Sequence, residues 1–207
     1  MKYFVLPALL LAAACAHAAP VPTDTAAAPP ATKRRWYRPN HFALQTGGGL
    51  GMVAGGAGYS FAKDRLETDV LLGYVPKRYA GSTLSLASLK FMYSPFRLKL
   101  SEKVQALPFT VGGYFSYTHG TLNDEIRGQY SQDYYWFSTD TRYGALAGGR
   151  LTYLAAPVAA TGQPRKLSFY YEIGSNDLYI ASYLTNRDGG LGIGQLLTLA
   201  LGVKADF

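Results

Sequence analysis

The feature that most constrains this chain is the period of its apolar residues, which is two. KLSFYYEIG sets Leu167, Phe169, Tyr171 and Ile173 against Lys166, Ser168, Tyr170 and Glu172. RYGALAGGRLTYL sets Tyr143, Ala145, Ala147, Gly149, Leu151 and Tyr153 against Arg142, Gly144, Gly148, Arg150 and Thr152. RLETDVLLGYV puts Leu66, Thr68, Val70, Leu72 and Tyr74 opposite Glu67, Asp69 and Gly73, and TLSLASLKFMYS puts Ala87, Leu89, Phe91 and Tyr93 opposite Ser88, Lys90 and Ser94. In ALPFTVGGYFSYT, Leu107, Phe109, Val111, Gly113, Phe115 and Tyr117 alternate with Thr110, Tyr114 and Ser116. Side chains alternate between faces only in an extended strand, so this is an all-β chain.

The two faces differ in kind. One is aliphatic and aromatic, with Tyr or Phe near its ends. The other carries Gly, Ser, Thr and charges of both signs: Glu67, Asp69, Lys90, Arg150, Glu172, Lys204 and Asp206. A soluble sandwich would bury the apolar face and solvate the other. Three features point instead to an antiparallel transmembrane β-barrel with a filled polar lumen. The strands are long, about 10–13 residues, enough for a tilted membrane crossing. Aromatics near strand ends match interfacial girdles. Glycines on the polar face suit a crowded lumen, where the charges would pair because a lone desolvated charge is costly.

The N-terminus reads as export. Lys2, the apolar run from Phe4 to Ala14 and the small-x-small triplet Ala16-His17-Ala18 make residues 1–18 a signal peptide. Cleavage near Ala18 would remove Cys15, the sole cysteine. A lipidated Cys15 is the rival, with Ala12 where such sites carry a bulkier residue. Residues 19–40, rich in Ala and Pro, read as a flexible periplasmic leader, and 41–207 as the barrel. The formal charge is +7. An exported chain rarely meets nucleic acid, and its basic residues are scattered (Lys63, Arg78, Arg97, Arg127, Arg187). Only Lys33-Arg34-Arg35 forms a run, which suits anionic lipid head groups.

Turn signals at Ala62-Lys63-Asp64, Tyr93-Ser94-Pro95-Phe96 and Thr161-Gly162-Gln163-Pro164 separate the strands. The stretch from Thr46 to Tyr59 is one bent strand or two with a turn near Gly47-Gly48-Gly49. With both termini in the periplasm the strand number is even, which favours two. Eight strands then fall at about 41–47, 51–61, 66–75, 82–94, 105–117, 142–154, 167–175 and 195–207. Short connections (62–65, 95–104, 155–166) lie on one side. The long ones, 118–141 and 176–194, lie on the other, as in outer-membrane barrels. If Asn176–Thr185 were a further strand, the first two would merge and sidedness would flip.

The closing LTLALGVKADF, with Phe207, Ala205, Val203, Leu201 and Leu199 alternating, resembles the terminal strand of bacterial outer-membrane β-barrels. The resemblance implies that the barrel-insertion machinery reads this strand, with Phe207 as the signal. It departs from the pattern in the small Ala205 and in having no Tyr two residues before the end. The stretches GGLGMVAGGAGYSF, LLGYVPK and LKFMYSP also resemble uncharacterised small barrels of the Bacteroidetes, a family that implies no activity. The expected setting is the outer membrane, with lipid and lipopolysaccharide as contacts and an unknown protein partner open.

Chemistry has few carriers. A lipid A deacylase-like enzyme needs a nucleophile, a base and an orienting acid. His119 is the candidate base, with Thr121 two residues on, Glu125 nearby and Ser116 on the opposite face. A loop histidine is the simpler reading. After cleavage near Ala18 two histidines, His41 and His119, would remain, without cysteine or an HExxH motif, which gives no metal set. The runs GGGLG and GGLGIG lack the strand–helix setting of a nucleotide loop, so no cofactor is expected. The loop residues Tyr134, Tyr135, Trp136 and Phe137 form an interfacial girdle or, with Arg127 and Arg142, a contact for lipopolysaccharide or a partner. The expected role is therefore structural or binding, without an open pore. The rivals are the lipid-modifying enzyme, a narrow channel, and a soluble ligand-binding barrel with its apolar faces turned inward.

Overall fold

A computed structural model describes residues 37–121, 140–156, 165–185 and 193–207. Nine strands and three helices follow in order: β1 (His41–Gly47), β2 (Val53–Phe61), β3 (Leu66–Val75), α1 (Lys77–Ala80), β4 (Leu84–Tyr93), β5 (Leu98–Lys99), β6 (Val104–His119), β7 (Thr141–Leu154), β8 (Lys166–Asn176), α2 (Asp177–Thr185), α3 (Ile193–Leu196) and β9 (Thr198–Asp206). All neighbours pair antiparallel. The ladder closes because β4 pairs with β6 and β1 pairs with β9. The result is an eight-stranded barrel, with β5 as a short extra strand on the start of β6.

The split at the glycines is real. Gly47, Gly48, Gly49 and Gly51 all have positive φ, between 76° and 122°, where a Cβ is strained. Leu50, between them, is 0% exposed and reaches into the lumen beside Ala43, Ala54, Leu71, Tyr114 and Leu146. A side chain at Gly49 would meet the Tyr114 hydroxyl at 2.7 Å. The turn therefore serves as an apolar stopper at this end.

The opposite turn, Ala62-Lys63-Asp64, holds three consecutive non-glycine residues at φ 51–61°. The left-handed region is uncommon for such residues. Arg97 donates to the Lys63 carbonyl and faces Asp64, and Lys166 pairs with Asp64. These contacts hold the turn from the 94–103 connection and from the start of β8.

The connections segregate. The described residues of 62–65, 94–103 and 155–165 lie at one end, with Asn40 and Phe207. The described residues of 48–52, 76–83, 120–140 and 177–197 lie at the other. The strand ends that bound the three expected short connections thus share an end, and those that bound the two long ones share the opposite end.

Two details differ from the sequence reading. Leu107 is 3% exposed and faces inward, not outward with Phe109. The register slips between Leu107↔Arg150 and Thr110↔Gly148, a bulge with one extra residue on β6. Pro108, which lacks the N–H a ladder needs, sits inside it. The last strand starts at Thr198 rather than 195, because Ile193–Leu196 forms α3.

The burial pattern is the reverse of a soluble protein's. Leu72 is 69% exposed, Val70 56% and Leu199 55%, whereas Lys90 is 0% and Asp69 1% exposed. The apolar faces point outward, the opposite of the arrangement that a soluble ligand-binding barrel would need. No helix among the described residues is long and apolar enough to cross a membrane, which says nothing of strands.

Candidate functional site

The candidate site is the lumen, and the period-two pattern builds it. Glu67 and Asp69 project inward two residues apart on β3. Lys90 enters from β4, Arg150 from β7, Glu172 from β8 and Lys204 from β9. Three carboxylates thus meet three cations.

Lys204 Nζ lies 2.7 Å from Glu67 Oε2 and 2.9 Å from Asp69 Oδ2. Arg150 pairs with the other oxygen of Glu67. Lys90 Nζ lies 3.1 Å from Glu172 Oε1 and 3.5 Å from Asp69 Oδ2, and donates to Gln45 Oε1 at 2.9 Å. The Tyr170 hydroxyl donates to the same Gln45 oxygen at 3.1 Å, and its ring lies under Lys90 at 4.8 Å and Lys204 at 5.5 Å. Buried charges persist only when paired and hydrogen-bonded. Here each has at least one opposite charge within reach, contributed by a different strand.

Six of the seven residues expected to form a lumen network are therefore brought together. The seventh, Asp206, is half-buried at the short-turn rim and makes none of these ion pairs. It pairs in register with His41 and Lys166. Below the network, Asp64–Lys166 and the hydroxyl pair Thr152–Ser168, 2.9 Å apart, line the mouth at that end.

The sequence reading missed His41, Gln45 and Tyr170 as members. His41 is 1% exposed, and its Nε2 lies 2.6 Å from Asp69 Oδ1. Its Nδ1 lies 3.4 Å from the Ser60 hydroxyl. The alternation His41, Ala43, Gln45 against Phe42, Leu44, Thr46 carried the signal, since the second set is the exposed one.

Serine, imidazole and carboxylate stand in the order an acyl-transfer relay uses. Asp69 is also engaged by two lysines, so its charge is shared rather than reserved for the imidazole. Among the described residues no group of three His, Cys, Asp or Glu side chains is placed to hold a metal ion.

His119, the candidate base of the lipid-hydrolase rival, is the exposed last residue of β6, in register with Ser85. Thr121 donates to Asp140 at 2.7 Å. Ser116 faces inward, away from His119. Glu125, Arg127, Tyr134, Tyr135, Trp136 and Phe137 lie outside the described residues, as do the expected signal peptide with Cys15 and nearly all of the expected leader. Phe207 is exposed and stacks on Phe42 with ring centroids 5.0 Å apart.

Two small spaces open among the described lumen residues. The space between Glu67, Thr110, Arg150, Tyr170, Glu172 and Lys204 is about 10 Å³, room for about one water. The space at the mouth between Asp64, Gln105, Arg150, Lys166 and Asp206 is of the same size. Comparison with protein-family models, with curated proteins and with solved structures finds no match.

Proposed function

We propose that this chain is an integral outer-membrane β-barrel with a closed lumen, serving a structural, surface-contact or binding role rather than a catalytic one. One observation carries this reading. The wall turns its aliphatic and aromatic side chains outward and its charges inward. A closed ladder leaves no strand edge, which a bilayer requires because it cannot hydrogen-bond a free backbone. The unbroken ion-pair layer and the Leu50 stopper support a barrel without an open pore. Phe207 at the end of β9 supports recognition by the insertion machinery, in keeping with the resemblance to bacterial outer-membrane barrels.

The test is outer-membrane fractionation with heat-modifiable gel migration, followed by planar-bilayer recording. The expected result is membrane recovery, a mobility shift on boiling, and flat current traces. Recovery in the soluble fraction would sink the membrane reading, and steady conductance would sink the closed lumen.

A second reading, a lipid hydrolase, is favoured by one observation, the Ser60–His41–Asp69 relay. Mass spectrometry of outer-membrane lipids tests it, comparing cells that carry the intact gene, no gene, Ser60→Ala and His119→Ala. A lipid species lost with Ser60→Ala and kept with His119→Ala would make the chain an enzyme with Ser60 as nucleophile. Identical profiles leave the non-enzymatic reading.

A further inference from the structure

We infer that the short-turn rim of the barrel is a cationic collar that binds anionic phospholipid head groups. The inference rests on the membrane reading above. In sequence the basic residues are scattered, but the topology gathers them. The described connections at the short-turn end carry six Lys and Arg, and Arg38 before β1 makes seven, against Asp64 and Glu102; Lys166 and Asp206 stand beside them at strand ends. The described connections at the opposite end carry Lys77 and Arg78 against Asp140 and Asp177, a balance.

Most of these cations are not used by the fold. Arg97 is engaged with Asp64. Arg38, Lys63, Arg65, Lys99, Lys103 and Arg165 are exposed, and no ion pair joins them to a carboxylate among the described residues. They alternate with outward apolar side chains in the same turns. Phe61, Tyr93, Phe96, Leu98, Leu100 and Tyr153 are all exposed there. An apolar band edged by guanidinium and ammonium groups is complementary to acyl chains capped by phosphodiesters. Arg binds phosphate as a fork and Lys as a point charge. Each cation near an anionic membrane surface strengthens association about fivefold.

The test uses the full chain, folded in neutral detergent. Phosphatidylglycerol or phosphatidylcholine is titrated in, and bound lipids are counted by native mass spectrometry. Phosphatidylglycerol is expected to bind at least about tenfold tighter. The preference should vanish on going from about 0.1 M to about 1 M NaCl, where the screening length falls from about 10 to about 3 Å. It should also vanish in Lys63→Gln/Arg65→Gln/Lys99→Gln/Lys103→Gln and survive in Lys77→Gln/Arg78→Gln. Equal binding of the two lipids, or a preference untouched by salt, overturns the collar even if the fourfold variant fails to fold. Salt-sensitive co-sedimentation with peptidoglycan sacculi, without lipid preference, overturns it in favour of a wall polymer. Failure to insert into bilayers of either lipid sinks the membrane reading, whereas equal insertion without lipid preference sinks only the collar.

Discussion

Lys90 is the residue whose removal the lumen should tolerate least. It is 0% exposed, and it is the ion-pair partner of Glu172, which is 3% exposed. Lys90→Met keeps the chain length and removes the charge. Asp69 would still have Lys204 at 2.9 Å and His41 at 2.6 Å. Glu172 would have no cation, and Gln45 would keep only the Tyr170 hydroxyl. Breaking a buried pair from one side costs about 3–5 kcal/mol. The lower figure is already about a hundredfold in the ratio of folded to unfolded protein.

Replacing both partners is different. Lys90→Met/Glu172→Met removes the orphaned charge as well, and apolar replacement of a buried pair is often neutral or stabilising. The expectation is therefore a large loss in each single variant and a recovery of at least about 2 kcal/mol in the double relative to the sum of the singles. Equilibrium unfolding in guanidinium, read by the folded band on an unboiled gel, measures all four proteins. If Lys90→Met sits within about 1 kcal/mol of the parent, or the single losses simply add, the lumen charges are not coupled and the site description fails.

Other predictions concern packing. A Cβ at Gly202 would collide with the Tyr170 ring, so Gly202→Val should cost about 1–3 kcal/mol and loosen Tyr170 from Gln45. An unchanged unfolding midpoint would show that the ring has room to move. Ser88 and Ser116 face each other across β4 and β6, both buried, and neither hydroxyl makes a hydrogen bond. Ser88→Ala/Ser116→Ala should therefore leave stability unchanged or raise it by about 1 kcal/mol. A clear loss would mean that the two hydroxyls share a bound partner.

Much of this architecture was legible because closure ties strand parity to burial. Once Leu66, Val70 and Leu72 face out, Glu67 and Asp69 have to face in, and the same holds for Lys90 and Glu172. Strand number followed from an evenness argument, and the glycine turn at Gly47–Gly51 bore it out. The misreadings arose where local chemistry interrupts alternation. Pro108 forces a bulge that carries Leu107 inward, a shift that pattern counting passes over. Ile193–Leu196 is apolar enough to extend a strand, yet it turns as α3 before β9. His41 escaped notice because its role depends on Asp69 and Ser60, which are far off in sequence. Asp206 has the right parity but stands at the rim, where depth rather than face decides who is paired. Period two reports facing and is blind to height along the barrel.

The seam between β1 and β9 has a kinetic meaning. His41–Gly47 is the first strand and Thr198–Asp206 the last, and they lie side by side. Lys204 meets Glu67 across 137 positions of sequence, and Tyr170 meets Gln45 across 125. Contacts of such separation form slowly, since nearly the whole chain has to be ordered before they reward it. Until β9 docks, β1 and β8 are bare edges that invite pairing with other chains. The ion-pair layer cannot neutralise itself before that moment either, because one of its three cations arrives with the last strand. Assembly should therefore be a single late event, and the incomplete chain the species that most needs protection from aggregation.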